Sequence, residues 1–192
     1  VVEDGDLDLL AESGAFPVFC PTTHGIGGKP MNTNYLSKLN VDWGIGTDCS
    51  GGNDDYDMLE EMRTALVLNN SVAQDGFIKP KDIFRKASEV NITRISGGVF
   101  SGTLSKNQKA DFITISINTP RMQPLHDVIN NIVMCASSRE VKDVYVEGEC
   151  IVKDSKFQKI DEEVILEEGM NAVSTLFTKT GFDKKILDGD FS

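Results

Sequence analysis

The chain has 192 residues, of which 40% are hydrophobic and 26% are charged, and its net charge is −11. Such a composition excludes a disordered, collagen-like or coiled-coil chain and leaves a globular protein large enough to bury a core. Since the chain has 30 acidic residues and only 19 basic ones, we expect neither nucleic acid nor an anionic membrane surface as a partner. No apolar run approaches the roughly 18 residues of a spanning helix, and the N-terminus lacks a leader pattern, so we expect a cytoplasmic protein.

The four cysteines, Cys20, Cys49, Cys135 and Cys150, lie far apart and form no C-x-x-C pair. This spacing excludes a zinc finger or a disulfide scaffold, and the apolar neighbours of most of them predict buried, reduced thiols. The chain begins with Val1 rather than Met, which suggests a processed or deliberately shortened product, or a piece of something longer.

The first hundred residues have the pattern of an α/β protein. A helix is predicted at 6–14, and two short apolar strands at 17–21 and 41–47, separated by a glycine-rich loop at 25–28 and a short helix at 34–39. The order strand, helix, strand is typical of parallel sheets.

The remaining elements change in character near residue 100. Helical spacing of apolar residues predicts a helix at 57–68, and a second helix is expected at 80–95. Alternating patterns then predict strands at 110–117 and 141–152, followed by a closing amphipathic helix at 161–177. We therefore expect an α/β part followed by a β-rich part.

The densest group of reactive side chains follows the second strand. Asp48 comes at the carboxyl end of that strand, where ligands bind in parallel α/β folds, so it could bind a metal or act as a base. The alternative is a local role, in which Asp48 caps its loop and the next aspartates serve the following helix. The two histidines, His24 and His126, belong to no paired metal-binding motif, and a mononuclear zinc site normally needs three protein ligands.

Four segments together resemble metal-dependent amidohydrolases. Residues 46–63 resemble the "GTDG…NN.LDM.EEMR" signature of the branch that contains the S-adenosylhomocysteine/methylthioadenosine deaminases and the triazine chlorohydrolases. Residues 20–23 are similar to the "CP.S" strand end, residues 102–112 to the "GsLe.Gk.ADl" strand, and residues 141–148 to the "Vr.ViVdG" hairpin. The matches follow the family order along nearly the whole chain.

This resemblance implies a fold and a division of the chain. The family closes a (β/α)8 TIM barrel and adds a small β-sandwich built from both chain ends. The chain would then contain the C-terminal part of the barrel in residues 1–100, sandwich strands in 101–160, and a C-terminal helix and tail in 161–192. Of the family's metal ligands, the others being histidines on earlier barrel strands, only Asp48 is present.

The resemblance also implies a chemistry for the complete enzyme. A bound Zn²⁺, or another divalent ion such as Fe²⁺, would activate water for hydrolytic deamination or dechlorination of an N-heterocyclic or purine-nucleoside-type substrate. Asp48 would contact the metal and accept the proton of that water. Four further residues would lie near this small-molecule substrate: Cys49, Asn53, Asp54 and His24, the last at a position where relatives usually carry Asn.

A second reading of the same resemblance stays open, namely a non-catalytic remnant that binds a ligand or oligomerises. On either reading we expect the chain alone to be inactive, since the histidine ligands are missing. We also expect a homo-oligomer or a complementary N-terminal segment, because two strands leave unpaired edges and the apolar face of the helix at 57–68 would be exposed.

Overall fold

The computed structural model describes residues 5–28, 33–73 and 76–181. Nine α-helices are found there: α1 Asp6–Ser13, α2 Pro21–Ile26, α3 Thr33–Lys38, α4 Ser50–Asn53, α5 Met58–Val72, α6 Pro80–Arg85, α7 Asn91–Ile95, α8 Val128–Cys135 and α9 Glu162–Thr180. Six strands accompany them: β1 Val18–Phe19, β2 Gly44–Ile45, β3 Phe112–Ile115, β4 Val141–Val146, β5 Glu149–Lys153 and β6 Lys156–Phe157. None of these helices is long and apolar enough to cross a membrane.

Two predicted loops contain short helices. The segment after β1 forms α2 rather than a loop reaching Gly28, because Pro21 begins a helix at its first position, where a missing N–H costs nothing. The loop after β2 contains α4, in which the Gly52 and Asn53 N–H groups both donate to Cys49 O, at 2.9 and 3.1 Å. Glycine content suggested loops here, and local hydrogen bonding overrides that signal.

The two strands of the first part pair in parallel, as predicted, although each is only two residues long. Val18 pairs with Gly44 and Phe19 with Ile45. Gly44 has no room for a side chain, since an added Cβ would lie 2.1 Å from Asn91 Oδ1 and 2.8 Å from the Phe16 ring. A glycine is therefore required where β2 runs beneath α7.

The predicted exposure of the α5 face is wrong. The apolar residues of that face, Leu59, Met62, Ala65 and Leu66, are all buried. They belong to one core with Phe19, Trp43 and Ile45 from the strand region, Ile83 from α6, and Ile132, Val133 and Ala136 from α8 and its end. Helix α8 was not predicted, and its packing against α5 and α6 covers the face that we expected to be open.

The outer edge of β2 is also closed within the chain, contrary to the expectation of an unpaired edge. The side chain of Asn91 accepts a hydrogen bond from the Ile45 N–H at 3.1 Å and donates Nδ2–H to Ile45 O at 2.6 Å. The predicted helix at 80–95 exists, but a π-helical turn at Lys86–Val90 divides it and immediately precedes Asn91. A side-chain amide thus takes the place of a neighbouring strand at this residue.

The β-rich part is a four-stranded antiparallel sheet in the order β3, β4, β5, β6. Thr114 on β3 faces Asp143 on β4, and the Thr114 hydroxyl donates to Asp143 Oδ2 at 2.8 Å. Asp143 Oδ1 accepts the backbone N–H of Asp154 at 3.0 Å, which ties the turn after β5 to β4. The boundary at residue 100 stays a prediction, and α8 contributes to the core of the first part.

The predicted closing helix is present as α9, and none of its residues is buried. Three of its apolar side chains, Leu166, Met170 and Leu176, are more than half exposed at 61%, 73% and 57%. The cysteines differ from expectation as well. All four are free, but Cys49 is exposed and the others are half-buried.

Replacing Asn91 with Asp should destabilise the fold by about 1–3 kcal/mol, because Ile45 O then faces a carboxylate oxygen instead of a donor. Urea unfolding measures the change, and Asn171→Asp, on the exposed surface of α9, is the control. An unchanged unfolding midpoint for Asn91→Asp would show that the amide does not hold the β2 edge.

Asp143 makes stability depend on pH. The Asp154 N–H and the Thr114 hydroxyl hold the pKa of its carboxyl below the usual range, although burial opposes them. The stabilisation is therefore present above the unfolded-state pKa of about 3.9 and is lost as pH falls below it. Urea unfolding of Asp143→Asn should differ from wild type more at pH 6 than at pH 3.5, whereas Glu167→Gln, an exposed change on α9, should show no such difference.

Candidate functional site

The candidate site lies where β1 and β2 end side by side. The Gly46 N–H donates to Phe19 O at 2.9 Å, which continues the parallel pairing past the last strand residue. Helix α2 begins at Pro21, directly after β1. Asp48 follows β2, the neighbouring strand. Parallel pairing thus brings the first turn of α2 and the Asp48 turn together.

Asp48 has an uncommon backbone conformation. Its φ is 63°, in the left-handed region that Asp tolerates better than most residues. The side chain is exposed, and its Oδ1 accepts the Cys49 N–H at 2.8 Å. Among the described residues none forms a hydrogen bond or ion pair with Oδ2, so one carboxylate oxygen is available to a ligand.

Because residue 52 is a glycine, α4 packs closely against both Thr23 and Asp48. An added Cβ at this position would lie 3.2 Å from Thr23 Oγ1 and 3.5 Å from Asp48 Oδ2. Thr23 and Asp48 therefore flank the same small volume. Thr23 Oγ1 is buried and has no hydrogen-bond partner among the described residues.

His24 also borders this region. Its ring stacks on Phe19 with centroids 5.4 Å apart, and its buried Nδ1 has no partner within the described part of the chain. Burial lowers the pKa of His24, and the negative charge of Asp48 opposes that effect. Burial favours the neutral imidazole, which can accept or donate a hydrogen bond.

Cys20 lies between the two strand ends, and its thiol is kept protonated. Burial raises its pKa most, and the charge of Asp48 adds to the effect, while a hydrogen bond from the Asp48 backbone opposes it.

The other predicted site residues lie on or beside α4. Cys49 and Asp54 flank that helix and are both exposed, with Asp54 in the left-handed region at φ 63°. Asn53 is 8% exposed, and its Nδ2 donates to Thr47 O at 2.9 Å and to Glu61 Oε1 at 3.0 Å. Both of its amide hydrogens are thus used inside the protein, and the predicted contacts of these residues with substrate stay predictions.

Glu61 is the residue that sequence reasoning missed. Its carboxylate is 1% exposed and accepts the Thr22 N–H at Oε2, at 3.1 Å, in addition to the Asn53 bond. A signal was present in the sequence, because position 61 lies within the apolar stripe of α5, between Met58 and Ala65. An acidic residue in a buried stripe requires partners, and here they come from both strand ends.

The described residues do not complete a metal site. No group of three or more His, Cys, Asp and Glu side chains that could hold a metal ion occurs within ranges 5–28, 33–73 and 76–181. His126 is exposed and does not join His24 and Asp48 in such a group. Asp48 fits a metal as one ligand of a larger set, and the remainder would have to come from outside the described residues.

The sequence is similar to known proteins over most of its length. The profile described as Amidohydrolase family matches residues 5–151. The chain is 30% identical over 180 residues to 5-methylthioadenosine/S-adenosylhomocysteine deaminase 1 of Archaeoglobus fulgidus, covering 92% of this chain and 42% of that protein. The Bacillus cereus deaminase of the same name is 29% identical over 170 residues, with 88% of this chain and 39% of that protein covered. The chain therefore spans about two fifths of the length of these relatives.

Solved structures share the fold. An adenosine deaminase from Xanthomonas campestris with bound zinc superposes with a TM-score of 0.85 at 24% identity, covering 92% of this chain and 40% of that chain. Atrazine chlorohydrolase from Arthrobacter aurescens, complexed with zinc, gives 0.79 at 17% identity, covering 89% and 38%. These likenesses identify the fold as part of a TIM-barrel amidohydrolase. Together with the profile match over most of its length, they lead to one conclusion: the chain belongs to the amidohydrolase family.

Proposed function

We propose that the chain is the C-terminal portion of a metal-dependent amidohydrolase that deaminates or dechlorinates an N-heterocyclic or purine-nucleoside-type substrate by hydrolysis. The observation that carries the proposal is Asp48, which follows β2 at its carboxyl end and keeps Oδ2 free of partners among the described residues. The deaminase and chlorohydrolase names of its relatives support the reaction class.

The electrostatics around Asp48 favour a cation there. None of the ion pairs within the described ranges involves Asp48, while Cys20 is kept protonated and burial favours neutral His24. Asp48 is thus an acidic group whose nearby titratable neighbours supply no positive charge. A bound metal ion would be the largest positive charge beside this carboxylate.

The reaction would use the two oxygens of Asp48 differently. When bound, a divalent ion such as Zn²⁺ lowers the pKa of a water toward neutrality. Because Oδ1 already accepts the Cys49 N–H, Oδ2 is the oxygen that would accept the proton of this water. His24, Cys49 and Asp54 would face the substrate, and an N-terminal segment or a second copy would complete the assembly.

The alternative is a non-catalytic remnant or a binding module of the same fold, favoured by the lack of a three-ligand group in the described part. Metal analysis of the complete protein separates the two, combined with ammonia and chloride release from adenosine-like and triazine-like compounds. Bound zinc with turnover supports the enzyme, and metal-free protein without turnover supports the remnant.

The 192-residue chain by itself should release neither ammonia nor chloride from these compounds. One carboxylate cannot hold a divalent ion against water, since catalytic zinc sites use three protein ligands. The assay is run with and without added zinc. Turnover that a chelator abolishes and zinc restores would contradict this expectation.

In the complete enzyme, Asp48→Asn should lower kcat/KM about 10²–10⁴-fold, because the amide can no longer accept the proton. Stability should change little, since the side chain is exposed and Asn also tolerates φ 63°. Asp154→Asn is a matched control, because Asp154 is likewise exposed with positive φ but lies in the turn after β5, outside the candidate site. Wild-type turnover by Asp48→Asn would remove Asp48 from the mechanism.

A further inference from the structure

Glu61 is a buried carboxylate to which the proposed reaction assigns no role. It lies in the first turn of α5, is 1% exposed, and belongs to none of the ion pairs found among the described residues. A buried carboxylate without a cation is costly unless hydrogen bonds compensate it. Its two hydrogen bonds compensate the buried charge, and they also connect two segments of the candidate site.

The first bond fixes the start of α2. Thr22 is in the first turn of that helix, where backbone N–H groups have no partner within the helix, and Cys20 at the N-cap supplies no side-chain hydrogen bond. Glu61 Oε2 accepts the Thr22 N–H at 3.1 Å across 39 residues of sequence. The carboxylate thus holds the segment that follows β1, which also carries Thr23 and His24.

The second bond fixes the turn that follows β2. Glu61 Oε1 accepts one hydrogen of Asn53 Nδ2 at 3.0 Å, and the same amide nitrogen donates to Thr47 O at 2.9 Å. Thr47 is the residue directly before Asp48. A continuous chain of hydrogen bonds therefore runs from α2 through Glu61 and Asn53 to the backbone at Asp48.

We propose that Glu61 is a positioning residue, which joins the Thr22 and Asn53 segments and so holds the Asp48 turn in register with the start of α2. Asp48 is in the left-handed region at φ 63°, a conformation that persists when the surroundings determine it. Only a carboxylate satisfies both donors, because each of its oxygens accepts. The catalytic consequence of this arrangement rests on the proposed function, whereas the structural consequence does not.

Glu61→Gln is the most informative variant. Its Oε1 can accept the Thr22 N–H, but its NH₂ group then meets the Asn53 NH₂ group, so two donors face each other. If the Asn53 amide rotates to relieve this conflict, its oxygen faces Thr47 O and the link to the Asp48 turn is lost. Glu60→Gln is the matched control, because Glu60 is the neighbouring residue on the same helix and is exposed.

The first measurement is made on this chain and needs no activity. Hydrogen exchange of residues 47–54, relative to the global unfolding rate, should rise at least tenfold in Glu61→Gln and stay at the wild-type value in Glu60→Gln. The same tenfold effect should shrink when Glu61→Gln is placed in an Asn53→Ala background, because the link through Asn53 is already gone. Unchanged local exchange, or an effect that is fully additive with Asn53→Ala, would overturn the proposal.

The second measurement uses the complete enzyme. Glu61→Gln should lower kcat/KM at least tenfold, and should weaken zinc retention against a chelator by a similar factor, under conditions where unfolding curves show the variant fully folded. A residue that only stabilises the fold would leave both quantities at the wild-type value there, and that result would overturn the catalytic part. If wild-type enzyme itself lacks turnover and metal, the proposed function fails, while the exchange measurement still decides the role of Glu61.

Discussion

The parallel pairing of β1 and β2 is the constraint on which the rest of the structure depends. The ladder comprises only two residue pairs, far fewer than an independent sheet needs. It persists because it is supported on several sides. Phe19, Trp43 and Ile45 pack into the common core, Asn91 closes the outer edge at Ile45, and Glu61 joins the two carboxyl ends. The core packing and the hydrogen bonds of Asn91 and Glu61 therefore determine the geometry of the site.

Much of this arrangement could be predicted from the sequence because it is local. An apolar run followed by a carboxylate placed Asp48 at a strand end, and helical periodicity identified α5 through Leu59, Met62 and Leu66. The role of Asn91 could not be found in this way, because its partner lies 46 residues away. The apolar stripe of α5 signals that Glu61 is buried but does not identify its partner Thr22, which lies 39 residues away. The covered face of α5 was missed for the same reason, since α8 comes from the part of the chain assigned to the sheet.

The candidate site in this portion of the family fold has an acidic group but no positively charged group beside it among the described residues. Its described groups are a single free carboxylate oxygen at Asp48, a histidine whose burial favours the neutral form, and a thiol kept protonated. Glu61 is close enough to raise the pKa of Cys20 slightly as well, so the local field is negative. Such a field suits a cation but does not hold one, because binding requires several ligands in fixed geometry. The acidity at the site and the inactivity that we predict for the isolated chain therefore have a common cause.

The backbone groups at the β2 edge have hydrogen-bond partners within the chain, whereas part of the apolar surface of α9 is exposed to solvent. At Ile45 the backbone N–H and C=O already have partners in Asn91, so a further strand at this edge would exchange one set of hydrogen bonds for another and gain little. The apolar side is different, since Leu166, Met170 and Leu176 on α9 are more than half exposed, and burying such side chains contributes about 25 cal/mol for each Å² removed from water. A segment or second copy that packs on α9 would therefore be held mainly by apolar contact, while Asn91 and Glu61 keep the strand ends in place.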